Sequence, residues 1–304
     1  MTAAADGPTG TVRDQRAVAA MLLAVAMLSS MDVVMKLLGG SHGVGQMVLM
    51  KSLASLPWIA VWWLIRPQAA VWRVRRPAIH LLRGVLLAIA GFGFFHAFTL
   101  LPLAEAYAIL FTAPIAAVLL AWGLMGERPG RGTGIALAAG FAGVLVVAAP
   151  GLMVQGLDGP ALGYLSAAIG TIGYAGMVVT TRTLAPSEGL GALSLSANLV
   201  AGLVALPFAL IDWSPLSALQ TGGYLLVSGL SVAGIGLISW ALSRVEVHRV
   251  APLEYTAFAW ALAYDWLVWR VTPQATSLAG AALIVAACLW LEHRRAIEAR
   301  RRRG

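Results

Sequence analysis

The two halves of this chain repeat one pattern of apolar runs, turns and small residues. At a shift of 144 residues, positions 104–147 align with positions 248–291 without a gap, and Thr112 falls on Thr256. Identities are sparse, but hydropathy and turn positions agree over much of both halves. We therefore expect two structurally related bundles within one chain.

Ten apolar runs, each of a length that crosses a lipid bilayer, dominate the chain. The composition is 60% hydrophobic and 11% charged, which excludes an ordinary water-soluble domain. Since a helix of about 20 residues spans a ~30 Å hydrocarbon core, each run predicts a transmembrane helix. The predicted spans lie near residues 17–38, 45–65, 79–100, 103–125, 132–149, 160–181, 189–211, 219–242, 250–269 and 275–292.

Each half contains five predicted spans, and an odd number reverses the direction in which the second half enters the membrane. The predicted fold is an all-α integral membrane protein whose ten transmembrane helices form two inverted five-helix repeats, a layout typical of secondary transporters. The expected parts are a disordered cytoplasmic N-terminal tail (1–16), a first repeat (17–150), a linker (151–159), a second repeat (160–292) and a basic cytoplasmic C-terminal tail (293–304).

The distribution of positive charge predicts the orientation of the chain. With the N-terminus placed in the cytoplasm, seventeen of the 21 Lys and Arg residues fall in cytoplasmic segments, and Arg270 falls outside. Such a bias is typical of multi-pass proteins of a bacterial-type cytoplasmic (inner) membrane with both termini in the cytoplasm. We expect the basic tail to bind the anionic lipid surface and not nucleic acid.

Sequence motifs for cofactor, metal or nucleotide chemistry do not occur. Cys288 is the only cysteine, so a disulfide framework and a thiolate cluster are excluded. The sequence has no phosphate-binding loop and no His/Cys pattern at metal-ligand spacing. We therefore expect a protein that is not an enzyme and that uses no cofactor and no metal.

Charged residues within the predicted spans are the first candidates for a functional site, because a charge inside a bilayer is costly. Asp32 and Lys36 stand four residues apart on the first span, where they can pair. Lys51, His96 and Glu105 fall at similar depth in the outer half of the first repeat. The set indicates a hydrated site for substrate or gating. The alternative is a charge pair that joins two helices, with Lys36 reaching the surface and His96 serving packing.

The second repeat carries a smaller set of charges. Glu254 lies one turn into the ninth span, near His248 and Arg249. This group is either an inner gate of ion pairs or an interfacial topology signal. Asp265, near the outer end of the same span, is expected to pair with Arg270.

Aromatic and small polar residues near the middle of the spans are a second group of candidates. Rings and hydroxyls suit the wall of a cavity that binds an amphipathic organic solute, whereas rings at helical spacing also arise from ordinary packing. The candidates are Tyr174, Asn198, Trp240, Tyr255 and Trp260.

Three prolines within spans are candidate hinge points. Pro57, Pro114 and Pro207 each lack a backbone N–H, which tends to kink a helix. Pro57 and Pro207 occupy comparable places in the second and seventh spans. They are either parts of an alternating gate or examples of the prolines that membrane helices tolerate.

Protons are the candidate coupling ion. Desolvation favours the neutral form of a carboxylate, so Asp32 first and Glu105 second are expected to take up a proton during a transport cycle. Exchange without an ion and facilitated diffusion stay open as alternatives.

Short motifs that follow one another along the ten spans carry a family resemblance. They are LPLAEAY (101–107), FTAP (111–114), GER (126–128), GFAGV (140–144) and APLEYT (251–256). On these segments, the chain resembles the drug/metabolite transporter (DMT) superfamily, specifically its ten-helix proteins with two EamA repeats. The pattern of Asp32, Lys36, Gln46 and Lys51 is similar to one branch. Arg270-Val271 departs from the Gly-Glu that is common in the superfamily.

The resemblance implies a secondary active or facilitative transporter that works by alternating access, with a cavity between the repeats. The cargo would be a small organic metabolite such as an amino acid, a riboflavin-like vitamin or an S-adenosylmethionine-like compound. The implied partners are the lipid bilayer and the small-molecule substrate, in a monomer or a homodimer. The alternatives are an integral membrane enzyme that acts on a lipid-linked substrate and a regulatory membrane subunit.

Overall fold

The computed structural model describes residues 8–65, 74–125, 131–155, 160–184, 190–242 and 251–301. Within these ranges the chain is helical apart from short connections and contains no strand. The helices are α1 (Pro8–Gly39), α2 (Val44–Ile65), α3 (Pro77–Leu100), α4 (Leu103–Leu110), α5 (Ala113–Met125), α6 (Arg131–Gln155), α7 (Pro160–Leu184), α8 (Leu190–Ile211), α9 (Ala218–Leu242), α10 (Thr256–Trp269) and α11 (Ala275–Arg301), with a 3₁₀ helix at Ala251–Tyr255 before α10.

Seven helical segments are long and apolar enough to cross a membrane, judged by length and composition. One of the seven combines α4 with most of α5, and shorter apolar stretches lie in α6 and α11. A helix satisfies its own backbone groups inside lipid, which is why apolar runs adopt this structure. Together with α10, these segments fill the ten predicted positions, and the predicted all-α membrane fold is confirmed.

The helices pack in pairs that correspond when the two halves are exchanged. α3 packs along α7, and the equivalent pair is α9 with α1. α2 packs on α8 and α6 packs on α11, and each of these pairs maps onto itself. Two five-span units related by a pseudo-twofold axis produce this pattern, and an odd number of spans makes the units inverted.

Glycines allow the closest contacts between the halves. A Cβ added at Gly93 on α3 would lie 2.4 Å from the backbone nitrogen of Gly170 on α7. A Cβ added at Gly143 on α6 would lie 2.9 Å from the carbonyl oxygen of Gly280 on α11. Backbones can approach this closely only where a side chain is missing. The small-residue face of α6 therefore packs against α11 within the same chain.

The fourth span is broken, although the sequence predicts one helix over 103–125. α4 ends at Leu110 and α5 begins at Ala113. Pro114 lies in the first turn of α5, where its missing N–H removes no helical hydrogen bond. In the second repeat, the equivalent place is the junction of the 3₁₀ helix with α10 at Thr256. Both repeats therefore interrupt their fourth span at the same point.

Three helices extend into segments that were predicted as tails or linker, because a helix that has already formed adds further residues at little cost. α1 begins at Pro8, so part of the tail expected to be disordered is helical. α6 continues through Pro150 to Gln155, into the predicted linker, while residues 156–159 lie outside the described ranges. α11 continues to Arg301, into the basic tail.

Candidate functional site

Polar side chains gather at both ends of the bundle. We call the end at which α1 stops and α4 starts the Lys36 end, and the end at which α3 starts the Arg83 end. Lys36 Nζ donates to the carbonyl oxygen of Leu101 at 2.5 Å. The same Nζ lies 4.0 Å from Asp265 Oδ1 and 4.7 Å from the ring centroid of Trp269. Lys36 therefore connects α1 in the first half with α10 in the second.

Asp265 on α10 binds the start of α4. Its Oδ1 accepts a hydrogen bond from the Leu103 N–H at 2.9 Å, and its Oδ2 accepts one from the Ala104 N–H at 2.8 Å. The first N–H groups of a helix have no intrahelical partner, and a carboxylate there also interacts favourably with the helix dipole. The predicted pairing with Arg270 is wrong: the chain leaves α10 at Arg270 with φ 57°, and the guanidinium lies over the Trp266 ring.

Asp32 on α1 is bound by Tyr107 on α4. The Tyr107 hydroxyl donates to Asp32 Oδ2 at 2.5 Å. Tyr107 is buried and Asp32 is half-buried. Lys51 on α2 interacts electrostatically with Asp32. This Asp32 site, formed by Asp32, Tyr107 and Lys51, brings one negative and one positive side chain near each other within the spans.

Glu105 connects α4 with two helices of the second half. Its Oε2 accepts a hydrogen bond from the Tyr164 hydroxyl on α7 at 2.6 Å, and its Oε1 accepts one from the Ser277 hydroxyl on α11 at 3.2 Å. A cleft at the Lys36 end runs past these groups, and Glu105, Asp265, Gln274 and Ser277 belong to its lining.

Each of the three carboxylates just described holds α4 in place. Asp32 binds α4 through Tyr107, Asp265 binds its first turn, and Glu105 is part of it. α4 has only eight residues, and isolated helices of this length are marginal. Its position therefore depends on these three contacts and on packing, together with the turn hydrogen bonds that lead into α5.

The charged residues that were predicted at similar depth make hydrogen bonds with different partners, although Lys36 also interacts electrostatically with Glu105. Lys36 pairs with Asp265 and not with Asp32, which stands one turn before it, because α10 brings Asp265 to the end of α1. His96 Nδ1 shares a hydrogen bond with Ser166 Oγ on α7 at 2.8 Å. Their partners are therefore separate, and the described residues contain no group of three His, Cys, Asp or Glu side chains that could hold a metal ion.

A row of aromatic rings leads from α3 across α4 to α10. Neighbouring ring centroids in this row are 5.2 to 6.4 Å apart, and the row consists of Phe98, Tyr107, Phe111, Tyr255 and Phe258. The distances suit edge-to-face and tilted aromatic pairs. The row contains Tyr107 and therefore forms one wall of the Asp32 site, and it includes the predicted cavity residue Tyr255.

Tyr174 lies on the inward side of α7 although it is 38% exposed. The outward stripe of α7 lies on the opposite side of the helix and consists of Leu162, Leu165, Ile169 and Ile172. Tyr174 also interacts electrostatically with Glu254, an exposed residue of the 3₁₀ helix before α10. Exposed surface on an inward face indicates a cavity beside Tyr174. His248 and Arg249, the predicted neighbours of Glu254, lie outside the described residues.

The remaining cavity candidates take different positions. Trp260 is 39% exposed on the side of α10 that also presents the exposed Leu267, so it belongs to the outward face. Asn198 Nδ2 donates to the carbonyl oxygen of Ser194 one turn earlier, and its buried Oδ1 has no hydrogen-bond partner within the described part of the chain. Trp240 packs against a small cluster between α1 and α9.

Two of the three candidate hinge prolines belong to one helix pair. Pro57 lies inside α2 and Pro207 lies inside α8, and these two helices pack on each other. Pro114, by contrast, lies just after the break between α4 and α5. The prolines are therefore placed at two kinds of site, a continuous helix pair and an interruption.

A polar cluster at the Arg83 end is absent from the sequence-based candidates. Arg83 is 9% exposed, and its Nε donates to Thr181 Oγ1 at 2.9 Å while its Nη1 donates to the carbonyl oxygen of Leu193. His80 Nδ1 shares a hydrogen bond with Ser196 Oγ at 2.6 Å. These bonds join α3 to α7 and α8. The sequence signal that could have identified this cluster is Arg83, an arginine inside an apolar run.

A comparison with protein families matches the chain twice. The model of the EamA-like transporter family covers residues 15–149 and 161–292. The first match contains α2 to α5 and most of α1 and α6, and the second contains α8 to α10 and most of α7 and α11. The resemblance inferred from the short motifs is confirmed.

Comparisons with curated proteins find similar transporters. The pseudopaline exporter CntI of Pseudomonas aeruginosa (strain UCBPP-PA14) is 29% identical over 212 residues, which are 69% of this chain and 73% of the exporter. The S-adenosylmethionine uptake transporter of Rickettsia conorii (strain ATCC VR-613 / Malish 7) is 21% identical over 219 residues, 72% of this chain and 73% of that protein.

A solved crystal structure shares the fold. It superimposes with a TM-score of 0.59 at 18% sequence identity, and the match covers 92% of this chain and 98% of the other. Agreement over nearly the whole of both chains extends the likeness from sequence motifs to the arrangement of the helices.

Proposed function

We propose that this chain, which belongs to the EamA-like transporter family and transports a small metabolite across a membrane, binds a zwitterionic organic solute. The solute binds at Asp32 and Lys51. Transport proceeds by alternating access, in which the Lys36 end and the Arg83 end open to the site in turn. The Lys36 end faces away from the cytoplasm, as the distribution of Lys and Arg predicts.

The observation that carries this proposal is the hydrogen bond from Tyr107 to Asp32 within electrostatic reach of Lys51. Charges within spans are costly unless they are paired or serve a function. A solute with an ammonium and a carboxylate group matches both: its ammonium replaces the Tyr107 hydroxyl as donor to Asp32, and its carboxylate accepts from Lys51. The aromatic row beside Tyr107 supplies an apolar wall for the rest of the solute.

The chemistry of the expected cargo narrows the choice of substrate. Amino acids and S-adenosylmethionine carry an ammonium and a carboxylate, whereas riboflavin carries neither. The relative from Rickettsia takes up S-adenosylmethionine by its name. The charges of the Asp32 site therefore favour the first two classes over a riboflavin-like vitamin.

The contacts at the two ends support a state in which the Lys36 end is closed. Hydrogen bonds between the halves converge there on α4, through Asp265, Tyr164 and Ser277. Exposed surface on the inward face at Tyr174, together with the nearby Glu254, supports an opening toward the Arg83 end. In this state the Asp32 site is reached from the cytoplasm.

Counterflow in liposomes tests the substrate class. The full-length protein is reconstituted, the vesicles are loaded with unlabelled compound, and uptake of labelled S-adenosylmethionine, methionine, histidine, glutamate, lysine and riboflavin is measured. We expect saturable counterflow with a zwitterion and none with riboflavin. Asp32→Asn and Lys51→Met should each raise KM about tenfold, the factor that ~1.4 kcal/mol of binding free energy represents.

Arg270→Gln is the matched control, because it removes an exposed cation outside the Asp32 site. It should leave KM unchanged. Counterflow of riboflavin alone, or equal KM values for Asp32→Asn and Arg270→Gln in protein with the wild-type melting temperature, would contradict the proposal.

A further inference from the structure

We infer that Asp265 is a positioning residue that acts through α4: by capping this helix it holds Tyr107 against Asp32 and keeps the Lys36 end closed. The inference rests on the proposed function, which makes the Asp32 site the binding site for the substrate. The contact joins the start of α4 to the C-terminal part of α10, and the bonded residues are 161 and 162 positions apart in sequence.

We expect α4 to move as one body. The eight residues of α4 follow an extended segment at Leu101 and Pro102 and lead into a two-residue turn, in which the Phe111 N–H donates to Tyr107 and the Thr112 N–H donates to Ile109. A helix this short is not stable by itself. Its first turn, however, is held by two N–H groups that both donate to Asp265, so the position of the carboxylate determines the position of the helix.

The helix that Asp265 caps also carries Tyr107. Tyr107 lies one turn after the capped residues Leu103 and Ala104. A displacement of the first turn therefore displaces the Tyr107 hydroxyl from Asp32. The hydrogen bond at the substrate site and the cap at the Lys36 end consequently form and break together.

Lys36 supports the contact between Asp265 and α4. Its ammonium lies 4.0 Å from Asp265 and donates to the carbonyl oxygen of Leu101, just before α4. Lys36 thus binds both the capping residue and the chain segment that enters α4. It supplies a counter-charge to Asp265, whose side chain is almost completely buried at 3% exposure, and its removal would leave that buried charge unpaired.

A closed Lys36 end follows from these contacts. Asp265 belongs to the second half and α4 to the first, so the cap joins the halves at this end. Opening the Lys36 end requires that α10 and α4 separate, which breaks the cap and releases Tyr107. Substrate that takes the place of the Tyr107 hydroxyl at Asp32 would weaken the same helix from its other end.

Cysteine accessibility tests the inference without a substrate. In full-length protein with Cys288→Ala, a reporter cysteine is placed at Ala106, a fully buried residue of α4. Its modification by a membrane-impermeant methanethiosulfonate is followed in liposomes, with the reagent on the side of the Lys36 end. We expect Asp265→Ala to increase the modification rate about tenfold, equivalent to ~1.4 kcal/mol, and Asp265→Asn, which retains one acceptor oxygen, to increase it less.

A double-mutant cycle identifies the path through Tyr107. Tyr107→Phe alone should also increase the rate. If Asp265 acts through α4, the combined variant should be no faster than Asp265→Ala, because both changes release the same helix. Fully multiplicative rates would show two independent contacts and would overturn the inference.

The matched control is Gln46→Ala. Gln46 exchanges two hydrogen bonds with the backbone of Ser214 at the same end, and neither reaches α4. It should leave the reporter rate unchanged. An increase as large as that of Asp265→Ala would indicate general loosening and would refute the specific role of Asp265. If Asp265→Ala does not fold, the modification rate of the reporter cysteine in Asp265→Asn is compared with the rate in Gln46→Ala. A higher rate in Asp265→Asn supports the inference, and equal rates contradict it. Because the readout needs no transported compound, its failure is separate from failure of the zwitterion proposal.

Discussion

Thr112 and Thr256 occupy the same position in the two repeats and make the same hydrogen bond. The Thr112 hydroxyl donates to the carbonyl oxygen of Ile109 at 2.7 Å, and the Thr256 hydroxyl donates to that of Leu253 at 2.6 Å. Both bonds reach back three residues, where the fourth span of each repeat changes its helical form. The interruption is thus a shared property of the repeat unit.

Thr112→Val and Thr256→Val should each destabilise the protein by about 1 kcal/mol, the usual value of one such hydrogen bond. The two changes are measured singly, because the rings of the preceding residues Phe111 and Tyr255 lie 5.2 Å apart and couple the two sites. Thermal unfolding in detergent measures this. Thr171→Val is the control: its hydroxyl bonds to the carbonyl oxygen of Ala167 inside the continuous α7, where an unbroken helix holds the same segment, so the loss should be smaller. Equal losses at all three positions would show that the interruptions have no special dependence on threonine.

Gly93→Ala should destabilise the contact of α3 with α7. The added Cβ would lie within 2.6 Å of the Gly170 backbone and the Ser166 carbonyl oxygen, so the helices must separate. Overpacking of this kind typically costs about 1–3 kcal/mol. Gly222→Ala in α9 is the control, since its Cβ would meet no atom within 4 Å. The melting temperatures of the two variants should differ clearly, and similar values would contradict the close contact.

Arg83→Gln should destabilise the protein by about 2–3 kcal/mol, because hydrogen bonds from charged groups contribute more than neutral ones. Arg83→Lys keeps the charge but cannot reach Thr181 and Leu193 with one planar fork, so its melting temperature should lie between those of Arg83→Gln and wild type. Exposed Arg16 provides the control substitution, Arg16→Gln, which should have little effect. A fully stable Arg83→Gln variant would show that the buried guanidinium is dispensable.

Asp32→Asn should abolish any dependence of transport on an imposed pH gradient, if protons are the coupling ion. Asparagine can accept the Tyr107 hydrogen bond but cannot take up a proton. Counterflow of the compound found in the liposome panel, with and without a gradient, measures the effect. Glu105→Gln is the companion variant and should retain most of the dependence, since Asp32 is the first candidate. Equal gradient dependence in wild type and Asp32→Asn would remove Asp32 from coupling.

Cysteine labelling in intact cells tests the proposed orientation. In a Cys288→Ala background, Ser41→Cys and Thr272→Cys lie in connections at the Lys36 end. Both should react with an impermeant maleimide added outside. Arg75→Cys, before α3 at the Arg83 end, should react only after permeabilisation. Reaction of Arg75→Cys in intact cells would reverse the orientation.

The positions of the spans follow from the sequence because hydropathy alone decides which segments enter lipid. The repeat also predicts two related five-span units with opposite orientation. The break after Leu110 does not follow, because the apolar run is continuous there and the interruption depends on contacts of α4 with distant helices. Pro114 indicates an irregularity nearby, but it does not distinguish a kink from the start of a new helix.

The site is less predictable than the fold for the same reason. Asp32, Lys51 and Glu105 stand out as charges in apolar runs, but their partners Tyr107, Tyr164 and Ser277 do not. Asp265 was assigned to the nearest cation in sequence, Arg270. Its true partners are backbone N–H groups in the other half of the chain, and no composition or spacing signal identifies a backbone donor.

The contact between Gly93 and Gly170 has a consequence for motion. It joins a helix of the first half to a helix of the second with no side chain between them, and the α1–α9 pair is its counterpart. Such seams resist sliding. We therefore expect each unit that reorients during transport to contain helices of both repeats, with α3 kept together with α7 and α1 with α9.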